Sequence, residues 1–126
     1  MKIEVPHGEV VDKVTILSIK LAKITDTDKL SNVRREYDLL SAAMEGLGIT
    51  QRSREFTELR SVNLELWEIE DRIRKLEAAG DFGEDFVECA RSVYRLNDAR
   101  ARLKREINRR TGSLLVEEKE YAGYSE

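Results

Sequence analysis

Asn63, Trp67, Glu70 and Arg74 follow one another at three- and four-residue steps, and so do Tyr94, Asn97, Arg100 and Lys104. Steps of that size put side chains on one face of an α-helix. Both strips interrupt apolar faces, and polar groups buried there cost free energy unless they are paired. Reflection of the chain through a turn near Gly80 sets Asn63 roughly opposite Asn97, Trp67 opposite Tyr94 and Glu70 opposite Arg91, so the strips should meet. Two chemistries are then open. In the first, the strips fix register: Glu70 neutralises an arginine and the asparagines bond each other. In the second they line a pocket, where Arg74, Arg100 and Lys104 bind a carboxylate or phosphate, Asn63 and Asn97 orient it, and Trp67 forms an apolar wall. Catalysis would further require a base such as Glu70 or Asp71 facing substrate with a raised pKa. Spacing does not demand this, so no catalytic residue is assigned and the expectation leans away from an enzyme.

The other reactive side chains carry less. His7 stands between Pro6 and Gly8 with no second histidine in the chain and reads as a surface turn residue. Cys89, the one cysteine, falls on an apolar stripe and reads as a small core residue. Cys and His do not cluster at metal-ligand spacing, so neither a metal nor a cofactor is expected. Gly-rich phosphate loops, nucleophile elbows and metalloprotease motifs are absent from the sequence. Arg91, Arg95, Arg102, Arg105 and Arg109 line one side of a helix, broken by Asp98. Nearby carboxylates dilute their field, so a solvated face is the first reading. An acidic segment, such as the chain's own tail, suits these arginines better than RNA. Asp12 and Lys13 read as ordinary first-turn charges unless the fold brings them to the polar strips.

These residues need helices to position them. A first helix is expected over about Glu9 to Ile24, carried by Val10, Val14, Leu17, Leu21 and Ile24. Ile16 and Ile19 add a second apolar face, which places this helix between neighbours or at a subunit contact. Asp26 caps a second helix with the stripe Leu30, Val33, Tyr37, Leu40, Met44 and Leu47. A third, capped around Thr50 or Ser53, carries Leu59, Val62, Leu66, Ile69, Ile73 and Leu76 and stops at Gly80. Asp81 with Glu84 resembles a capping box for a fourth, with Phe86, Cys89, Ala90, Val93, Leu96, Leu103 and Ile107 on its apolar side. Arg109 and Arg110 before Gly112 suit its C-terminus.

The fold class expected is all-α: an antiparallel bundle of four helices with coiled-coil rhythm and a long hairpin of the third and fourth. The N-terminal segment around Lys2 to Val5 and the segment Leu114 to Val116 are irregular or strand-like. Residues 1–126 form a single domain, with 113–126 an acidic tail. Helices of about 25 residues reach about 38 Å, longer than the first two, so part of the hairpin should stay uncovered in a monomer. A homodimer is therefore expected, with another protein as a further partner.

Composition agrees with this class: hydrophobic residues make up 40% and charged residues 37% of 126 residues, which fits charged-faced helices around an aliphatic core. A net charge of -3 disfavours a dedicated nucleic-acid binder. The start of the chain lacks a signal-peptide pattern and charges interrupt every apolar run, so neither export nor a membrane span is expected. A reducing cytoplasm is the expected setting.

The segments Gly8 to Leu17, Leu66 to Arg74 and Arg91 to Asp98 resemble a family of short bacterial and phage proteins catalogued as a domain of unknown function. The resemblance spans nearly the whole chain. It implies no reaction, but it does imply an accessory role beside surface-polysaccharide and glycosyltransferase functions. The likeness to helical chorismate mutases, which also hold a dianion with Arg and Lys, is poorer and transfers no residues. Two functions therefore stand: a self-associating helical accessory module, or a protein or enzyme that binds a small anion, a sugar phosphate or carboxylate, between the third and fourth helices.

Overall fold

The computed structural model describes residues 1–120, 122 and 123; Tyr121 and residues 124–126 of the expected acidic tail lie outside the described residues. Four helices follow in order: α1 (His7–Lys23), α2 (Thr27–Gly46), α3 (Arg54–Ala78) and α4 (Glu84–Thr111). No strand occurs among the described residues, and segments 1–6 and 113–120 are irregular.

Local chemistry sets the helix ends. The Asp26 carboxylate accepts from the Lys29 amide at 3.0 Å and so caps α2, satisfying one of the first-turn donors that have no partner inside a helix. Gly112 closes α4 in the left-handed region, with φ of 65°. There the Ser113 amide donates back to the Asn108 carbonyl at 2.8 Å, the bond that closes a Schellman end. The expected capping box of Asp81 and Glu84 does not form. Asp81 Oδ1 instead accepts from the Gly83 amide at 3.1 Å inside the turn, and α4 begins only at Glu84, after Gly83 as cap. With its carboxylate closing the turn, Asp81 is not the residue that caps the helix.

The backbone of α1 runs close to α2, α3 and α4, that of α2 approaches α1, and α3 and α4 pack closely. Arg72 pairs with Asp85 at 3.3 Å near the turn, and Glu55 pairs with Arg110 near the other ends of these two helices. The core gathers Val11 and Val14 of α1, Met44 of α2, Ile49 of the next loop, Phe56 and Leu59 of α3, and Leu103 and Ile107 of α4. The buried surface of α1 includes Val11, Val14, Leu17 and Ile19, so this helix is covered on more than one side, as its two apolar faces require. Its β-branched residues weaken helix propensity, and burial between neighbours offsets that cost. Val10 and Leu21, expected on its main stripe, are only half-buried.

The far part of the α3–α4 pair is less covered. Buried residues on α3 end at Leu66, and on α4 only Cys89 is buried before Leu103. Ile69, Ile73, Leu76, Phe86, Val93 and Leu96 are half-buried, and Ala90, expected on the apolar side, is exposed. Among the described residues, no helix is long and apolar enough to cross a membrane.

Candidate functional site

Asp12, in the second turn of α1, is 1% exposed. A carboxylate at that depth must be matched by charge and by hydrogen bonds. Arg100 of α4 supplies both: its Nε donates to Asp12 Oδ1 at 2.9 Å and its Nη2 to Oδ2 at 2.5 Å. This is the two-pronged geometry in which guanidinium and carboxylate fit best. The Asn63 amide of α3 donates to Asp12 Oδ1 at 2.9 Å and to the Thr15 hydroxyl at 2.8 Å. The Thr15 hydroxyl donates in turn to the Asp12 carbonyl at 2.6 Å. Three helices thus meet on one buried carboxylate. The Arg100 pKa is raised, first by the hydrogen bond to Asp12, against the opposing effect of burial.

One turn further along α4, Lys104 is also buried, and its Nζ lies 2.9 Å from both Glu9 of α1 and Glu117 of the C-terminal segment. Burial pulls this ammonium down, but the bonds to Glu117 and Glu9 outweigh it and the pKa is raised. The Glu117 carboxyl is held below its ordinary value, chiefly by the hydrogen bond from Lys104.

α4 also caps α1. Pro6 offers no side-chain acceptor to the first turn. Asn108 Oδ1 instead accepts from the Gly8 amide at 2.7 Å and Ser113 Oγ from the His7 amide at 3.0 Å. His7 is not a plain surface turn residue: it is half-buried, and its Nδ1 lies 2.8 Å from the Thr111 hydroxyl. That hydroxyl also lies 2.7 Å from the Ile107 carbonyl.

Of the eight residues singled out in the sequence, Asn63 and Arg100 meet at Asp12, and Lys104 lies one turn away. Trp67 is half-buried, whereas Glu70 and Arg74 are exposed on the far part of α3. Tyr94 and Asn97 line a different place, an open groove of about 1070 Å³ shared with Val93, Asp98, Lys119, Ala122 and Gly123. Asn63 shares its carboxylate with Arg100, three residues beyond the Asn97 that simple reflection set opposite it. Both of its amide donors go to α1, which reflection of α3 onto α4 leaves out. Among the described residues, every buried side-chain nitrogen and oxygen has a partner, so the cluster is closed upon itself. No group of three or more His, Cys, Asp or Glu among them is arranged to hold a metal ion.

Thr15 and Asn108 are the residues missed in the sequence, and Asp12 is the charge that the fold does bring to the polar strips. A signal for Asp12 was present. Gly8, Val11, Asp12, Thr15 and Ile19 share one face of α1 by their spacing, and a carboxylate flanked by Val11 and Val14 on a helix apolar on several sides is a candidate for burial. The arginines at 91, 95, 102, 105 and 109 are exposed, as a solvated face requires. Arg105 reaches Glu118 of the C-terminal segment at 3.4 Å.

The model of a family of unknown function (DUF6165) matches residues 1–125, and the chain belongs to that family. No curated protein and no solved structure matches it.

Proposed function

We propose, from membership of a family that brings no reaction with it, that this chain works as a non-enzymatic, self-associating helical interaction module. In this reading α3 and α4 are an antiparallel hairpin whose far half receives a second copy, and the Asp12 cluster sets how α1 seats on the near half. One observation carries it. From Trp67 to Leu96 the hairpin has a single buried residue, Cys89, while its apolar line is half-buried and Phe82 and Val87 are exposed at 57% and 42%. Two helices alone cannot enclose such a line, and apolar surface left on that scale favours a partner. The setting inferred is the cytoplasm, where a lone thiol such as Cys89 stays reduced.

The sugar-phosphate or carboxylate reading, with its accessory role beside polysaccharide synthesis, ranks second. Arg100 would first have to release the buried Asp12, and parting a buried pair costs several kcal/mol, about 3–5.

Light scattering tests the leading reading. Across the micromolar range the expected mass is twice the 14.5 kDa of one chain. Phe82→Glu with Val87→Glu, both at exposed positions, is expected to return one chain's mass with unchanged helicity. A single-chain mass for the unaltered protein throughout that range overturns the reading.

A further inference from the structure

After Gly112 the chain reverses and runs back over α4. The segment is tied at its root, where Ser113 Oγ accepts from the His7 amide and donates to the Leu115 carbonyl at 2.6 Å. Two adjacent carboxylates then land on two adjacent cations: Glu117 on Lys104 at 2.9 Å and Glu118 on Arg105 at 3.4 Å. The fit is close, since the space between Ala101, Lys104, Arg105, Asn108, Glu117 and Lys119 holds only about 10 Å³, about the least that admits a water.

The apolar residues of the same segment are only partly covered. Leu114 is 93% exposed, and Leu115 and Val116 remain 42% and 48% exposed, so none of the three is enclosed. The ion pairs of Glu117 and Glu118 supply the rest of the hold. Partly exposed ion pairs are worth little net free energy, so a segment held this way can be displaced. The groove does not depend on the segment for its shape: Glu9 of α1 holds the Lys104 ammonium from the other side, and Asn108 is fixed by the Gly8 amide. A site held in its bound geometry loses less entropy when a ligand arrives.

We propose that this groove on α4, floored by Lys104 and Arg105, is a binding site for an acidic peptide segment of another polypeptide with two adjacent carboxylates, and that Glu117 and Glu118 occupy it as a tethered competitor. The observed occupant argues for a peptide, because an extended chain already brings successive carboxylates to successive cations there. A polyphosphate backbone fits less well: Asp98 and Glu106 lie among Arg102, Arg105 and Arg109 on the adjoining surface and repel a continuous run of negative charge. The surface is separate from the far half of the hairpin, so this inference stands or falls apart from the self-association reading.

The test uses the full chain and a fluorescent peptide of residues 114–120 as probe, with binding followed by anisotropy. A tethered segment competes at an effective concentration on the order of millimolar. Glu117→Gln with Glu118→Gln should therefore bind the probe at least about tenfold more tightly than the unaltered protein. Arg105→Gln added to that variant should reverse the gain, and because Arg105 is exposed the fold is expected to survive, as circular dichroism will show. A probe carrying Gln at both glutamates should not bind. The proposal is overturned if the tail variant binds no more tightly than the unaltered chain, if the neutral probe binds equally well, or if inorganic phosphate displaces the acidic probe at equal concentration.

Discussion

Gly8 of α1 lies against the backbone of Lys104 of α4 so closely that a Cβ at Gly8 would meet the Lys104 carbonyl oxygen at 2.5 Å. Backbone thus packs on backbone where the first helix begins. That approach brings the Gly8 amide to Asn108 at 2.7 Å and lets a helix lacking a cap of its own borrow one from another helix.

Gly8→Ala should consequently destabilise the fold although alanine favours helices. The added methyl meets main chain rather than the tip of a flexible side chain, and overpacking of that kind costs about 1–3 kcal/mol. Urea unfolding is the measurement; a change within about 0.5 kcal/mol, as at ordinary surface positions, would refute the close approach.

Asp12 and Arg100 should be coupled. Asp12→Asn or Arg100→Met alone leaves its partner buried without a counter-charge, with an expected loss of about 3–5 kcal/mol. The double variant should lose less than the sum, by about 1–3 kcal/mol. Additive losses in a denaturant cycle would mean that the two side chains do not act as a pair.

Asn63→Asp should be worse than Asn63→Ala at neutral pH. The alanine removes two hydrogen bonds to Asp12 and Thr15, whereas the aspartate brings a second negative charge against Asp12, and like charges that close disfavour joint ionisation. Equal stability of the two at neutral pH would count against a negatively charged Asp12.

Docking of the C-terminal segment should respond to pH in a set direction. The Glu117 carboxyl lies below its ordinary value of 4.5, chiefly through the hydrogen bond from Lys104. Its contribution is therefore complete above that ordinary value and is lost as pH falls through the lowered one. Lys104 is raised above 10.5, so its contribution is complete below that value and is lost as pH rises through the raised one. The NMR chemical shifts of residues 114–120 should stay constant between these limits and should move below the ordinary carboxylate range. Glu117→Gln should abolish that acid transition. A transition in those shifts between pH of about 5 and 6 would contradict the assignment, because a depressed carboxyl is still ionised there.

The sequence by itself determined four helices and most of their ends. Apolar residues at three- and four-residue steps, Asp26 ahead of α2 and Gly112 behind α4 are local signals that act over one turn, so a linear reading captures them. It also placed α1 between neighbours or at a subunit contact, by counting apolar faces, and offered the acidic tail as one partner for the arginines of α4 beside a solvated face, by counting charges. Tertiary structure alone decided the polar cluster. Asn63 and Arg100 were visible as intruders on apolar faces, but their common partner, Asp12, lies 51 residues from one and 88 from the other. Helical periodicity fixes the angle of a side chain around its own axis. It does not fix where one axis crosses another, and that crossing, set by Gly8 against Lys104, turned a first-turn charge into the buried centre of three helices.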